Sequence, residues 1–188
     1  MSTVTREVIV KAPVETVYNQ WTQFEEFPRF MESVTEVRQL DDRHLRWRAS
    51  VLGRDVVWEA AIDLQVADGT IRWHSTSGPE HHGTVIFEPS DRDETKVHVE
   101  VVYAPDGIAE RLASATGLVA NEVERDLKRF KEFVEGRQSA TGAWRHDLPD
   151  EDRMDVRDAA ELRQTRPGPA SAPGGGPVVD ERDGSLHS

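Results

Sequence analysis

The stretch that most constrains the fold of this 188-residue chain runs from 105 to 136. Apolar residues recur there every three or four positions, so they lie on one face of a single helix of about 30 residues. They are Ile108, Leu112, Ala115, Val119, Val123, Leu127, Phe130 and Val134. A helix this long with one apolar face needs a broad apolar surface to pack against. We expect a curved sheet beneath it, with a cavity between them for a small apolar molecule.

The chain before this helix predicts that sheet. From Val34 onward, apolar and polar residues alternate, and short turns rich in Asp and Gly interrupt the pattern. Pro13 suits the first turn of a short helix, and a second short helix, interrupted by Pro28, is expected near 24–31. The expected strands are 3–11, 34–40, 44–52, 55–66, 70–76, 83–89 and 95–103. The prediction is an α+β fold: an antiparallel sheet of about seven strands around a long C-terminal helix.

Strand alternation also predicts which residues face the helix. One face of the predicted sheet carries apolar residues throughout, including Leu64 of the expected strand 55–66. The opposite face is charged. These residues either fill a core or line a pocket, and the aromatic segment 21–31 closes one end as a lid or a plug. The candidate ligand-binding residues are Trp21, Phe27, Phe30, Met31, Trp47, Trp58, Trp73, Phe87, Tyr103, Leu112, Val119 and Val123.

Charge and composition exclude several functions. The net charge is −12, of which −9 falls in residues 1–136 and −3 in residues 137–188. An acidic chain repels nucleic acids and anionic membrane surfaces. The chain has no cysteine, no signal peptide at its start, and no apolar run long enough for stable membrane insertion. These features predict a cytoplasmic protein.

The chain divides at about residue 136. Residues 1–136 carry the strand and helix patterns, whereas residues 137–188 are acidic and rich in Pro and Gly. Such a composition buries too little apolar surface to fold, so we expect a mostly disordered tail. Trp144 either docks on the domain, marks a motif for a protein partner, or has no role.

Four motifs resemble the START-like, Bet v 1-like (SRPBCC) helix-grip superfamily, and within it the bacterial polyketide cyclase/dehydrase and coenzyme Q-binding proteins. They are the Ala-Pro entry to the first helix at 10–18, the aromatic spacing at 21–30, Trp73 with the strand at 83–89, and the helix end at 126–131. The resemblance covers residues 1–136 and implies a helix-grip fold. Proteins of this kind bind lipids, quinones, hormones or polyketides, and some cyclise or dehydrate their ligand.

The residues show no recognisable catalytic set. Tyr103 and Ser75 are the polar groups expected inside the cavity, joined by His74 or Arg48 if a bulge shifts the register. The run 80–82 contains two adjacent histidines, which point to opposite faces of a strand and cannot easily share a metal ion. We expect a solvated loop there, and neither a metal site nor a cofactor.

Three functions remain open at this point. The first is binding of a hydrophobic small molecule, such as a lipid, a quinone or a polyketide-like compound, without strong catalysis. The second is a polyketide cyclase/dehydrase, an aromatase-like enzyme that acts on a poly-β-ketone. The third is a scaffold whose acidic tail recruits a protein partner.

Overall fold

The order of helices and strands agrees with the prediction. The structure is a computed structural model that describes residues 1–51, 53–104, 116–137 and 139–148. Its elements are β1 (Ser2–Val10), α1 (Val14–Trp21), a 3₁₀ helix (Phe24–Arg29), β2 (Val34–Gln39), β3 (His44–Val51), β4 (Arg54–Val66), β5 (Thr70–Ser77), β6 (His81–Asp91), β7 (Glu94–Tyr103) and α2 (Thr116–Arg137). The first part of the predicted long helix, which contains Leu112, lies outside the described residues, as does most of the predicted tail.

The seven strands form one antiparallel sheet. Their spatial order is β1-β7-β6-β5-β4-β3-β2, so every strand from β2 to β7 lies beside its neighbour in sequence, and β1 closes the order against β7. Short connections make this meander, and Asp68 and Asp93 adopt positive φ angles of 58° and 60° in two of them. The sheet is curled, which confirms the predicted helix-grip α+β architecture.

A β-bulge in β4 changes the predicted face of two residues. The register shifts between Ile62 and Leu64, after which Leu64 pairs with Arg72 and Gln65 pairs with Ile71. One extra residue in a strand reverses the inward and outward positions that follow it. The prediction that Leu64 faces the helix is therefore wrong. Gln65 takes the inward position and is fully buried.

Helix α2 packs across the sheet through the predicted apolar face. Leu127, Phe130 and Val134 are buried there. Polar side chains of α2 form hydrogen bonds with the C-terminal end of β1. The Nζ atom of Lys131 donates to the carbonyl of Ile9 at 2.8 Å. The carboxylate of Glu135 accepts the main-chain N–H of Lys11 at 2.7 Å. The helix is thus fixed along one edge of the sheet.

Residues 139–148, which we call the C-terminal segment, contact this body beyond the boundary expected at 136. The main-chain groups of Leu148 and Gln65 exchange hydrogen bonds of 2.8 and 2.9 Å on the edge of β4 that β3 no longer covers. The side chain of Gln65 donates to the Tyr18 hydroxyl at 2.8 Å, and Arg145 forms an ion pair with Asp68. The C-terminal segment therefore continues the sheet edge.

The packing of Trp73 against Gly83 gives a first prediction. These residues face each other on β5 and β6, and a Cβ atom on Gly83 would lie 2.8 Å from Cη2 of Trp73 and 2.9 Å from the Glu100 carbonyl. We expect Gly83→Ala to lower the free energy of unfolding by about 1–3 kcal/mol, because the main-chain carbonyl of Glu100 cannot move away from the added methyl group. Urea denaturation measures this change.

Gly136→Ala is the matched control. A Cβ atom on Gly136 would meet nothing within 4 Å, and alanine is the better helix former. Equal stability losses in the two variants would show that the Trp73 contact is not what restricts position 83.

Candidate functional site

A cavity of about 210 Å³ lies between the sheet and α2. The inward faces of the central strands form its floor, α2 covers it, and the 3₁₀ helix and the residues after it close one end. The described lining residues are Trp21, Phe24, Phe27, Phe30, Met31, Val34, Leu45, Trp47, Trp58, Ala60, Ile62, Ile71, Trp73, His81, Val99, Val101, Val123, Asp126, Leu127 and Phe130. All of these are apolar or aromatic except His81 and Asp126, so the wall is suited to an apolar molecule.

Aromatic rings build most of this wall. Trp47 and Trp58 are cross-strand partners on β3 and β4, and their rings stack with centroids 5.7 Å apart and planes 8° apart. Phe27 packs edge-on against Trp47 at 5.5 Å. Gly78 leaves room for Trp58, since a Cβ atom on Gly78 would lie 2.7 Å from the Trp58 Cβ. The strands therefore present two parallel indole rings to one side of the cavity.

The structure brings together most of the residues that the sequence proposes for ligand binding. Trp21, Phe27, Phe30, Met31, Trp47, Trp58, Trp73 and Val123 line the cavity. Phe87 is buried against Tyr18 and Trp21, outside the described lining, and Tyr103 is buried at the end of β7. Val119 is half-buried on α2. Leu112 lies outside the described residues.

Two lining residues with ionisable side chains are absent from the sequence-based set. Asp126 stands three residues after Val123 and four before Phe130, so helical spacing alone would have placed it on the apolar face. His81 was expected in a solvated loop. In the structure it is the first residue of β6 and lines the cavity. His74, an expected alternative, instead pairs with Asp63 and is exposed.

Asp126 is a buried carboxyl group with few compensating partners. Its residue is 8% exposed. The main-chain N–H of Glu32 donates to it, and Nη1 of Arg129 lies 3.3 Å from Oδ1. Burial and the nearby charge of Glu122 nevertheless raise its pKa from 3.8 to about 6, because they disfavour the charged form more than its partners favour it.

His81 is held as a neutral base. Its Nδ1 atom lies 2.9 Å from the carbonyl oxygen of Pro79, which can only accept, so Nδ1 carries the proton. The Nε2 atom then has a free lone pair. Burial lowers the pKa of His81, which keeps the ring uncharged at neutral pH. The ring packs edge-on to Trp58, with centroids 5.9 Å apart.

Within the described ranges, no three His, Cys, Asp or Glu side chains come close enough together to hold a metal ion. No helix in the same ranges has the length and apolar character needed to cross a membrane.

The raised pKa of Asp126 predicts a pH-dependent stability. Its value in the folded protein, about 6, exceeds the ordinary 3.8, so the folded state binds this proton more tightly than the unfolded state does. The carboxyl therefore favours folding below pH 3.8, and this contribution is lost as the pH rises through 6, by at most about 3 kcal/mol. We expect Asp126→Asn to be more stable than the wild type by about 1–3 kcal/mol at pH 7.5, with a gap that narrows toward pH 4.

Denaturant unfolding across this pH range measures the gap. Glu132→Gln is the control, since it removes the same charge from an exposed position on the same helix. Parallel pH profiles for Asp126→Asn and the wild type would contradict the raised pKa.

Comparisons with known proteins agree with this geometry. Residues 10–132 match a family described as polyketide cyclase/dehydrase and lipid transport. An uncharacterised 17.2 kDa protein from Streptomyces lincolnensis is 40% identical over 146 residues, which cover 77% of this chain and 97% of that protein.

Two solved structures share the fold at low identity. The Zhui aromatase/cyclase from a Streptomyces species has a TM-score of 0.64 and 18% identity, over 76% of this chain and 99% of that one. A START superfamily protein from Mycobacterium smegmatis has a TM-score of 0.55 and 19% identity, over 72% of this chain and 95% of that one. Because the family match spans most of the folded region, this chain belongs to the polyketide cyclase/dehydrase and lipid transport family.

Proposed function

We propose that this protein binds a hydrophobic small molecule in the cavity between the sheet and α2. The observation that carries this proposal is the size and apolar character of the cavity: about 210 Å³, with two ionisable groups in its described lining. An engineered cavity of about 150 Å³ with aliphatic and aromatic walls binds benzene. The present cavity is larger, and a ligand gains about 0.8 kcal/mol for each CH₂ group that it buries.

The cost of such a cavity supports a role in binding rather than in packing. Protein interiors are close-packed and hold few voids larger than a water molecule. A space of about 210 Å³ is well above that size. A bound apolar molecule would fill it and supply the packing contacts that its walls otherwise lack.

The shape of the wall narrows the kind of ligand. The rings of Trp47 and Trp58 stack with their planes 8° apart, and aromatic side chains pack well against planar rings and against alkyl chains. Phe27, Phe30 and Met31 meet the ligand from the end of the cavity. A fused-ring compound, a quinone or a short lipid chain suits this arrangement.

A second candidate function is cyclisation of a poly-β-ketone, and His81 and Asp126 favour it. Both line the cavity, and their pKa values move toward each other, downward for His81 and upward for Asp126. Ring closure of a polyketone needs a base to take a proton from a CH₂ group between two carbonyls, and an acid to protonate the carbonyl oxygen that is attacked. His81 Nε2 suits the first role, and Asp126 suits the second in its protonated form, which its pKa of about 6 makes the major form only below that pH.

Filling the cavity tests the binding function. Ala60 is buried and lines the cavity. We expect Ala60→Leu to weaken binding of a naphthalene-sized probe at least tenfold while the free energy of unfolding stays the same or rises, because the new side chain occupies ligand space. Calorimetric titration and urea denaturation measure the two effects.

Ala49→Leu is the control, since Ala49 is equally buried but outside the described lining. Added volume there should lower stability by about 1–3 kcal/mol through overpacking. If Ala60→Leu also lost stability and kept full binding, the space would be core rather than a ligand site.

Replacing His81 separates the two candidate functions. With a poly-β-ketone thioester as substrate, we expect His81→Gln to lower the cyclisation rate by about 10²-fold or more if His81 is the base. Its binding of a naphthalene-sized probe should change less than threefold. If the substrate cyclises no faster with the wild-type protein than in buffer alone, the cyclase function is excluded and the binding function stands.

A further inference from the structure

We propose that Asp126 selects the ligand: the cavity prefers apolar molecules that end in a neutral hydrogen-bond donor, such as a phenol, an enol or an alcohol, and rejects molecules that carry an anion. This inference rests on the proposed binding function and names the class of ligand. It separates the hydroxylated compounds that could enter this site from fatty acids and other carboxylates of the same size.

The first argument is the position of the Asp126 carboxylate. It is the one acidic group in the described lining, and on α2 it lies among the apolar lining residues Val123, Leu127 and Phe130. A carboxylate has about four lone-pair positions for hydrogen bonds. Among the described residues, the Glu32 N–H and the Arg129 guanidinium donate to it, so Asp126 keeps acceptor capacity for a ligand.

The second argument is the charge around that carboxylate. The guanidinium of Arg129 lies beside it and also binds the Glu32 carboxylate at 2.6 Å. Glu122 adds a further negative charge to this environment. Glu122 is paired with Arg125, so two cations stand against three carboxylates. One negative charge is left over, and a ligand anion placed here would meet net repulsion in a poorly hydrated site.

The third argument concerns His81, the other ionisable group of the wall. His81 presents Nε2 as an acceptor, and its Nδ1 proton is used by Pro79. Within the described lining, no lysine or arginine is present to pair with an acid. Both ionisable lining groups therefore offer acceptors, which suits a ligand that donates.

Three probes on one ring system test this inference. Naphthol donates a hydrogen bond, methylnaphthalene has the same bulk without a polar group, and naphthalenesulfonate stays anionic at every accessible pH. We expect calorimetric titration of the full chain at pH 7.5 to give the tightest binding for naphthol. We expect naphthalenesulfonate to bind roughly 30-fold or more weakly than methylnaphthalene, as like charges in a poorly hydrated site predict.

Asp126→Asn assigns the effect to this residue. The amide keeps the shape and an acceptor oxygen but removes the charge, so we expect the gap between methylnaphthalene and naphthalenesulfonate to shrink to threefold or less. Glu132→Gln, an exposed position on the same helix, should leave the gap unchanged. Far-ultraviolet circular dichroism shows that each variant is folded, and the wild-type series alone decides the ligand class.

The outcomes separate this inference from the function on which it rests. If none of the probes binds the wild type, the proposed binding function fails. If all three bind equally well, the function stands and the selection of ligands is wrong. If the wild type rejects the sulfonate and Asp126→Asn rejects it as strongly, Asp126 is not the selecting residue.

Discussion

The edge-to-face contacts of Trp21 hold together the elements that surround the cavity. Trp21 ends α1, and its ring meets Phe130 of α2 at 4.9 Å, Phe27 of the 3₁₀ helix at 5.5 Å and Phe87 of β6 at 5.8 Å. Each contact favours one ring orientation. These large rings therefore join α1, the 3₁₀ helix, β6 and α2. Three of them, Trp21, Phe27 and Phe130, also line the cavity.

The two ionisable groups of the wall show what such a cavity does to charge. Burial raises the pKa of Asp126 and lowers that of His81, so both groups move toward their neutral forms. At neutral pH, Asp126 is nevertheless mostly ionised, at a cost in folding free energy. Natural proteins accept such costs where a site needs a particular group. The one buried carboxylate in the described lining is therefore a stronger indication of function than its many apolar neighbours are.

Much of this arrangement follows from sequence periodicity. Alternation along β3 and β4 predicts that Trp47 and Trp58 share the concave face, and three-to-four spacing predicts the packing face of α2. The inward position of Gln65 does not follow, because the bulge that creates it depends on pairing with β5. His81 is missed because pairing with β7 extends β6 beyond the alternating residues. Leu148 is missed because it lies in a polar stretch and pairs with Gln65 only once β3 has ended.

Under the proposed function, Asp126 would also connect the ligand to the end of the cavity. The main-chain N–H that it accepts belongs to Glu32, the residue after the lining residue Met31, and Arg129 ties the Glu32 side chain to the same helix. A ligand hydroxyl at Asp126 would therefore share one carboxylate with the segment that closes the cavity. Neutral donors add a hydrogen bond to this network, whereas an anion opposes the charge that holds it. Under this proposal, selection of the ligand and closure of the site depend on the same group.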